Sequence, residues 1–178
     1  INSFLISAAF YLFFITLKDF FSKKFSNLSQ KISHFGFSLL ILSILLNSLF
    51  SSELTTNLKV GEKISFKKGI ISFESIENKK YKNYKSIVGY FRIEDNEKRL
   101  TILKPELRIY NQPYTITSEA NIKTTLYSDK FLVMNLVKGN EYFNIRYQVK
   151  PFMVWIWIST LIIVLGGIHS LFKKNHEK

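Results

Sequence analysis

Three histidines are the side chains in this 178-residue sequence best suited to metal ligation or proton transfer. His34 lies in an otherwise uncharged apolar run, His169 lies near the end of another such run, and His176 lies in a charged tail. No two of them are three or four residues apart, so no helix face would pair them as metal ligands. Each histidine must therefore be judged by its own surroundings.

His34 has two interpretations. An ionisable group inside a membrane span costs free energy and is a functional hypothesis by default. A neutral imidazole directed into a helix bundle could ligate haem iron. Alternatively, His34 lies near the end of its span and simply meets water or lipid headgroups. For His169 the solvated, interfacial interpretation is the better one.

Cationic side chains are the second set of candidates. Lys104, Glu106 and Arg108 alternate along the stretch ILKPELRIYNQPY, which places them on one face of a strand. That face could be solvated, or it could be a recognition edge for an acidic or anionic partner, for which arginine is well suited. Arg146 precedes the last apolar run, where it could extend to lipid headgroups or support a bound anion such as a haem propionate.

Several chemistries find no support in the sequence. There are no cysteines, which excludes a disulfide, a thiolate nucleophile and a cysteine-based zinc site. No glycine-rich phosphate loop or HExxH motif is present, and no His or Asp stands in a recognisable relation to a serine. The formal charge of +12 could indicate an anionic surface or only an AT-rich genome. No nucleic-acid-binding motif accompanies it, so we expect no nucleic acid partner.

Three apolar runs predict membrane-spanning helices, at 4–17, 32–50 and 152–172. The second would be about 28 Å long as a helix, close to the thickness of the hydrocarbon layer. Ser26 or Ser29 could cap its start. Pro151 stands where the third begins, and Trp155, Trp157 and Tyr147 cluster there like an aromatic belt at a membrane interface.

The middle of the chain has the period-two alternation of antiparallel strands, separated by polar clusters or glycine. FLVMNLV and YFNIRYQV, joined by residues 138–141, predict a hairpin. A sandwich or small barrel is the expected closure. The predicted strands are 59–66, 70–76, 86–93, 100–103, 114–118, 122–127, 131–137 and 142–149.

The charge distribution predicts the topology. The connection 18–31 holds four lysines and one aspartate, and the tail 173–178 holds three lysines and one glutamate. Both belong on the inner face by the positive-inside rule, which puts the β domain outside. The expected organisation is two spans with a basic inner loop (1–50), an extracytoplasmic β domain (51–150), a third span (151–172) and a basic inner tail (173–178).

The order of these elements and several motifs resemble the C-terminal part of the CcmF family, the haem lyase subunits of cytochrome c maturation. KISHFGFSLLILSILL is similar to the family's HxG-type helix, and LKPELRIYNQP resembles its basic, Pro-bearing strand. IRYQVKPFMVWIWISTLIIVLGGIHSLF follows the family's pattern of an Arg, K-P-F, W-x-W and a final L-G-G. The resemblance extends from Lys31 to Phe172.

The resemblance implies a function. Such proteins take haem from a haem chaperone, attach it to the CxxCH motif of apocytochrome c outside the membrane, and carry a haem b with two intramembrane histidine ligands. His34 looks like the second of these ligands. This chain has no counterpart of the first ligand, the tryptophan-rich haem-handling segment or the external histidine pair. We therefore expect it to be part of a longer protein or the product of a split gene. It would then support a haem lyase without carrying a catalytic residue itself.

The expected partners are the haem chaperone, thioredoxin-like or apocytochrome-binding maturation subunits, apocytochrome c and membrane lipid. The expected location is the bacterial inner membrane with a periplasmic domain, or alternatively the mitochondrial inner membrane. A different class of function stays open: a membrane-anchored scaffold without a cofactor, whose β domain binds partner proteins. In that case Lys104, Arg108 and Arg146 would matter more than His34.

Overall fold

The computed structural model describes residues 3–22, 27–67, 69–137, 139 and 141–176, with side chains up to residue 172. The chain forms two compact units. One comprises Ile1–Ser51, Thr125–Asp129 and Lys150–Lys178, and the other comprises Ser52–Thr124 and Lys130–Val149.

The first unit contains three long apolar helices, α1 (Ser3–Phe21), α2 (Leu28–Phe50) and α3 (Met153–His176). Ser3–Phe21, Leu28–Phe50 and Met153–Phe172 each have the length and composition of a membrane span, which confirms the three predicted spans. About half of their large apolar side chains are exposed, as expected for helices whose surroundings are lipid or further helices.

Helix α2 begins earlier than the sequence indicated. Asn27 occupies the N-cap position without a side-chain cap hydrogen bond, and Ser29 lies inside the helix, so the cap predicted at Ser29 is wrong. Ser26, the other predicted cap, lies outside the described residues. Lys31 is buried in this first part of α2 and its Nζ donates to the carbonyl oxygen of Ser22 at 2.6 Å. Lys31 is thus part of the helix packing and not of a solvated basic loop.

Helix α2 packs between the other two helices. On one side Phe35 contacts Phe13 and Phe20 of α1 at ring-centroid distances of 5.9 and 5.4 Å. On the other side Ser29 Oγ donates to the carbonyl oxygen of Gly166 in α3 at 2.6 Å. Small residues at such contacts allow helix backbones to approach closely, which is how apolar helices associate in a membrane.

The second unit is an antiparallel β-sandwich, which confirms the predicted fold class. Its four-stranded sheet has the order β1-β10-β9-β8, and its six-stranded sheet has the order β2-β3-β4-β6-β7 with β5 paired to β4. The strands are β1 (Ser52–Leu58), β2 (Lys63–Phe66), β3 (Gly69–Lys80), β4 (Tyr84–Asp95), β5 (Leu100–Leu103), β6 (Glu106–Asn111), β7 (Tyr114–Glu119), β8 (Asn121–Thr124), β9 (Ser128–Leu136) and β10 (Phe143–Pro151).

The core of the sandwich is aromatic and aliphatic. The rings of Phe73 and Phe91 stack at 4.2 Å, and Phe143 meets Phe73 edge-on at 5.5 Å. Around them lie fully buried aliphatic side chains and a methionine: Ile71, Ile93, Leu103, Leu107, Leu132, Met134 and Ile145. These residues come from alternating positions of both sheets, as the period-two pattern requires.

Tyr147 belongs to this core. It is 2% exposed and packs against Phe66 at a ring-centroid distance of 5.3 Å, so the predicted place of Tyr147 in an aromatic belt is wrong. Burial raises the pKa of its phenol. Trp157 is largely exposed, and the Trp155 indole N–H donates to the carbonyl oxygen of Leu126 at 3.1 Å.

Strand β1 was absent from the predicted strands, whereas β6 was predicted through the alternation of Glu106 and Arg108. Lys104, predicted on the same strand face, lies in the connection between β5 and β6. β1 pairs with β10 from Ser52↔Val149 to Leu58↔Phe143, and β6 pairs with both β4 and β7. Strands β9 and β10 are neighbours in one sheet, which agrees with the predicted hairpin, although Lys138 and Asn140 of its loop lie outside the described residues.

Candidate functional site

His34 lies on an open face of α2. It belongs to a row of side chains spaced three and four residues apart, His34, Phe37, Ile41, Ile44 and Ser48, which we call the α2 seam. This spacing keeps all five on one side of the helix. His34, Phe37, Ile44 and Ser48 are exposed and Ile41 is half-buried. No described element covers His34 or Phe37, whereas Ile41, Ile44 and Ser48 line a groove beside α1.

The packing of α2 against its neighbours determines which way the seam faces. A Cβ added to Gly36 would approach side-chain atoms of Ile162 and Ile163 in α3 to 2.9 Å, so no larger residue fits that contact. On the α1 side, the hydroxyls of Thr16 and Ser38 lie 2.5 Å apart. Because both flanks are occupied, helix α2 cannot rotate freely, and the His34 imidazole is presented on the remaining face.

An apolar groove continues the seam. It has a volume of about 420 Å³ and lies between α1 and α2, lined by Leu5, Ala9, Ile41, Ile44, Leu45 and Ser48. Four of these six residues come from α2, and three of those four belong to the seam. The lining residue nearest to His34 along α2 is Ile41, about 10 Å away, so the groove is apolar surface further along the same helix.

The other histidines lie elsewhere. His169 is exposed on α3, and the side chain of His176 lies outside the described residues. Among the described residues there is no group of three or more His, Cys, Asp or Glu side chains that could hold a metal ion.

Arg108 is engaged within the six-stranded sheet. Its Nε and Nη2 donate to the two carboxylate oxygens of Glu106, each at 3.2 Å, and its guanidinium lies 5.3 Å from the ring centroid of Tyr84. The hydrogen bond from Arg108 lowers the pKa of Glu106 and raises the pKa of Arg108 itself. Lys104 lies 4.9 Å from the ring centroid of Tyr90 on the same sheet.

Arg146 is engaged in the other sheet. Its Nε and Nη2 donate to the carboxylate of Glu53 at 2.6 and 3.2 Å, and Gln148 donates to the same carboxylate at 2.6 Å. These hydrogen bonds lower the pKa of Glu53, and the largest effect is that of Arg146. The structure therefore does not bring Lys104, Arg108 and Arg146 together, because Arg108 lies in one sheet, Lys104 in a connection of that sheet and Arg146 in the other sheet.

The rest of the α2 seam was missed by the sequence analysis, which singled out His34 alone. The signal was available, since the spacing from His34 through Ile41 to Ser48 is the three-and-four repeat of a helix that packs on another. The repeat is hard to recognise because the whole segment is hydrophobic, so no polar face of the helix stands out against an apolar one.

Residues 49–151 match the family model described as the CcmF C-terminal beta-sandwich. The chain belongs to the CcmF family. The match covers all ten strands, and the three apolar helices beside them are those of a membrane protein.

Curated relatives agree with this assignment. The cytochrome c-type biogenesis protein CcmF of Pseudomonas fluorescens is 29% identical over 83% of this chain, and that of Escherichia coli is 25% identical over 86%. The biogenesis protein NrfE of Haemophilus influenzae is 23% identical over 98%. The matched parts are only 22%, 24% and 28% of those proteins, so the chain spans about a quarter of each.

A solved structure shares the fold. The chain superposes on a cytochrome c heme lyase CcmF with a TM-score of 0.64 over 90% of this chain and 28% of the other, at 15% identity. At that identity the likeness establishes the fold of the chain.

Proposed function

We propose that this chain is a component of the cytochrome c maturation haem lyase, and that it supports covalent attachment of haem to apocytochrome c outside the membrane. Membership of the CcmF family carries this proposal, because the curated relatives are cytochrome c-type biogenesis proteins and the structural neighbour is a heme lyase. The residue-level part of the proposal rests on the α2 seam.

We further propose that His34 is an axial ligand of an intramembrane haem b. Imidazole is a common axial ligand of haem iron, and the seam offers it beside apolar side chains such as Phe37 and Ile41. One ligand from this chain fits the structure, since His34 is the only histidine on the seam. A second axial ligand would come from outside this chain, whose relatives are about four times as long.

The protein's own part in this site would be to present the imidazole. Contacts of α2 with α1 and α3 set its rotation, as described for Thr16, Ser38 and Gly36. The apolar seam residues Phe37 and Ile41, which are next to His34 along the seam, would exclude water from one side of the site. When bound, the haem would supply electrons that keep the iron of the substrate haem ferrous for thioether formation.

The β-sandwich would lie on the outer side of the membrane, which in a bacterium is the periplasmic side of the inner membrane. This follows from the basic residues of 18–31 and 173–178, which the positive-inside rule assigns to the cytoplasm. There the domain could brace the haem site or dock the haem chaperone, apocytochrome c or other maturation subunits. We assign no catalytic residue to this chain.

The ligand assignment is tested by His34→Ala in the full-length protein. Loss of one axial imidazole should remove most of the b-type haem absorbance of the purified protein, measured against protein concentration. His169→Ala is the matched control, because His169 is also an exposed histidine on an apolar helix, and it should leave the absorbance unchanged.

Undiminished absorbance in the His34→Ala protein would overturn the ligand assignment and would favour the scaffold without a cofactor. A purified wild-type protein with no haem in any preparation would count against the haem b proposal as a whole. Family membership would stand in either case, because it rests on the sandwich.

A further inference from the structure

Strands β3 and β4 extend beyond the aromatic core as a long hairpin. At the level of the core, Phe73 pairs with Phe91, and β3 then continues for seven residues to Lys80, roughly 20 Å along a strand. Residues 74–83 are all exposed. We call residues 77–86, the far end of this hairpin, the distal arm. It lies at the end of the sandwich opposite to Ser52 and Val149, where β1 and β10 meet.

A ladder of tyrosines covers one face of the distal arm and its neighbouring strand. The rings of Tyr81 and Tyr84 stack at 4.6 Å, and the ring of Tyr110 in β6 lies 5.2 Å from that of Tyr84. The arm is closed by a hydrogen bond from the Tyr81 amide to the Tyr84 carbonyl oxygen at 2.9 Å. The Arg108 guanidinium lies 5.3 Å from the centroid of the Tyr84 ring, within the range of a cation–π interaction. The three rings therefore form one continuous aromatic surface.

The cations of the distal arm differ from those singled out by the sequence. Lys79 is paired with Glu77 at 3.2 Å. Lys80, Lys82 and Lys85 are exposed, and within the described residues none of them has an ion pair. Arg108 and Arg146, by contrast, already hold carboxylates of their own domain. Lys80 pairs with Lys85 across β3 and β4, so strand alternation puts both on the face opposite to Tyr84 and Tyr110, and Lys82 lies in the turn between the strands. The distal arm thus carries three uncompensated positive charges around its tip and tyrosine rings on one face.

We propose that the distal arm is a docking surface for an acidic segment of a partner protein. Lysines without partners attract carboxylates over roughly 10 Å at ordinary ionic strength and guide the encounter. Tyrosine rings supply contact area at low cost in conformational entropy, and they are enriched at protein interfaces. A polypeptide segment that crosses the tip of the arm, and that carries both carboxylates and apolar side chains, would meet the lysines and the rings together. This goes beyond the haem site and does not depend on His34.

The test uses the full-length protein in nanodiscs of zwitterionic lipid. The probe is a fluorescently labelled glutamate-rich peptide containing aromatic residues, with the glutamine counterpart as reference, and binding is measured by fluorescence anisotropy at increasing salt. Replacement of Lys80, Lys82 and Lys85 by Gln together should weaken binding of the acidic peptide by about tenfold. Tyr81→Leu alone should also weaken it.

A matched control removes three other exposed lysines from the same domain, by Lys63→Gln, Lys67→Gln and Lys123→Gln together. This variant has the same net charge as the arm variant, and binding should stay within about twofold of wild type. Equal losses in both triple variants would show a general charge effect and overturn the proposal. The proposal would also be overturned if the arm lysines bound vesicles containing phosphatidylserine while the acidic peptide did not bind.

Discussion

The His34 imidazole and the Arg146 guanidinium have contrasting surroundings. His34 is exposed on a face that no described element covers, whereas Arg146 is joined to Glu53 by two hydrogen bonds. Both residues were candidates for a haem site on type and position alone. Their contacts favour His34 over Arg146 as a haem-site residue. A guanidinium that already donates to a carboxylate has fewer free N–H groups for a haem propionate.

The Glu53–Arg146 pair predicts a specific response to acid. The lowered pKa of Glu53 means that its contribution to stability is present above the ordinary value near 4.5 and is lost as pH falls through the lowered value. Glu53→Gln should therefore lower the thermal midpoint of the full-length protein in detergent at neutral pH, and the difference from wild type should close below pH 4.5.

Arg146→Gln is the matched variant, since it removes the other side of the same pair. It should reproduce the pH-dependent difference, and the double variant should lose little more than either single one. A difference that stays constant with pH, or losses that add fully, would contradict the pairing.

At the scale of elements, a contact between small residues holds α2 against α3. Ser29 Oγ donates to the carbonyl oxygen of Gly166, and Ser33 lies directly opposite the same glycine. A Cβ at Gly166 would meet the backbone nitrogen of Ser33 at 2.9 Å and the carbonyl oxygen of Ser29 at 3.0 Å. Since these are backbone atoms, the two helices would have to move apart.

Gly166→Ala should therefore destabilise the protein by about 1–3 kcal/mol, the usual cost of overpacking. Gly167 is the neighbouring control, because a Cβ added there meets nothing within 4 Å. Gly167→Ala should be neutral or slightly stabilising, as alanine is the better helix former. Thermal unfolding in detergent measures both, and equal midpoints for the two variants would refute the close contact.

At the scale of the whole molecule, the apolar helices and the charged strands belong to different compact units. The proposed topology, with the β unit on the outer side of the membrane, is testable because these 178 residues contain no cysteine. Ser65 is exposed on β2 and Phe21 is exposed at the end of α1, so either position can carry a cysteine probe.

In the full-length protein expressed in a bacterium, with any cysteines elsewhere removed, Ser65→Cys should react with a membrane-impermeant maleimide in intact spheroplasts. Phe21→Cys should react only after lysis, because the connection after α1 is expected in the cytoplasm. The reverse pattern of labelling would invert the proposed topology.

What could be predicted from the sequence was largely local. Apolar runs long enough to span a membrane, period-two alternation and the K-P-F, W-x-W and L-G-G motifs are visible within windows of some twenty residues. They sufficed for three helices, an antiparallel β domain and the family. They also marked His34, because one ionisable residue in an apolar run is conspicuous in any structure.

The tertiary structure decided which partner each polar or aromatic residue meets. Glu53 and Arg146 are 93 residues apart in the chain, and their pairing depends on β1 adding to β10. Tyr147 became a core residue because β10 faces Phe66 of the other sheet, and Lys31 became a buried one because α2 begins before it. The direction of His34 depends on how α1 and α3 cover the flanks of α2. Such pairings are made by contacts between distant segments, and no local pattern of residues encodes them.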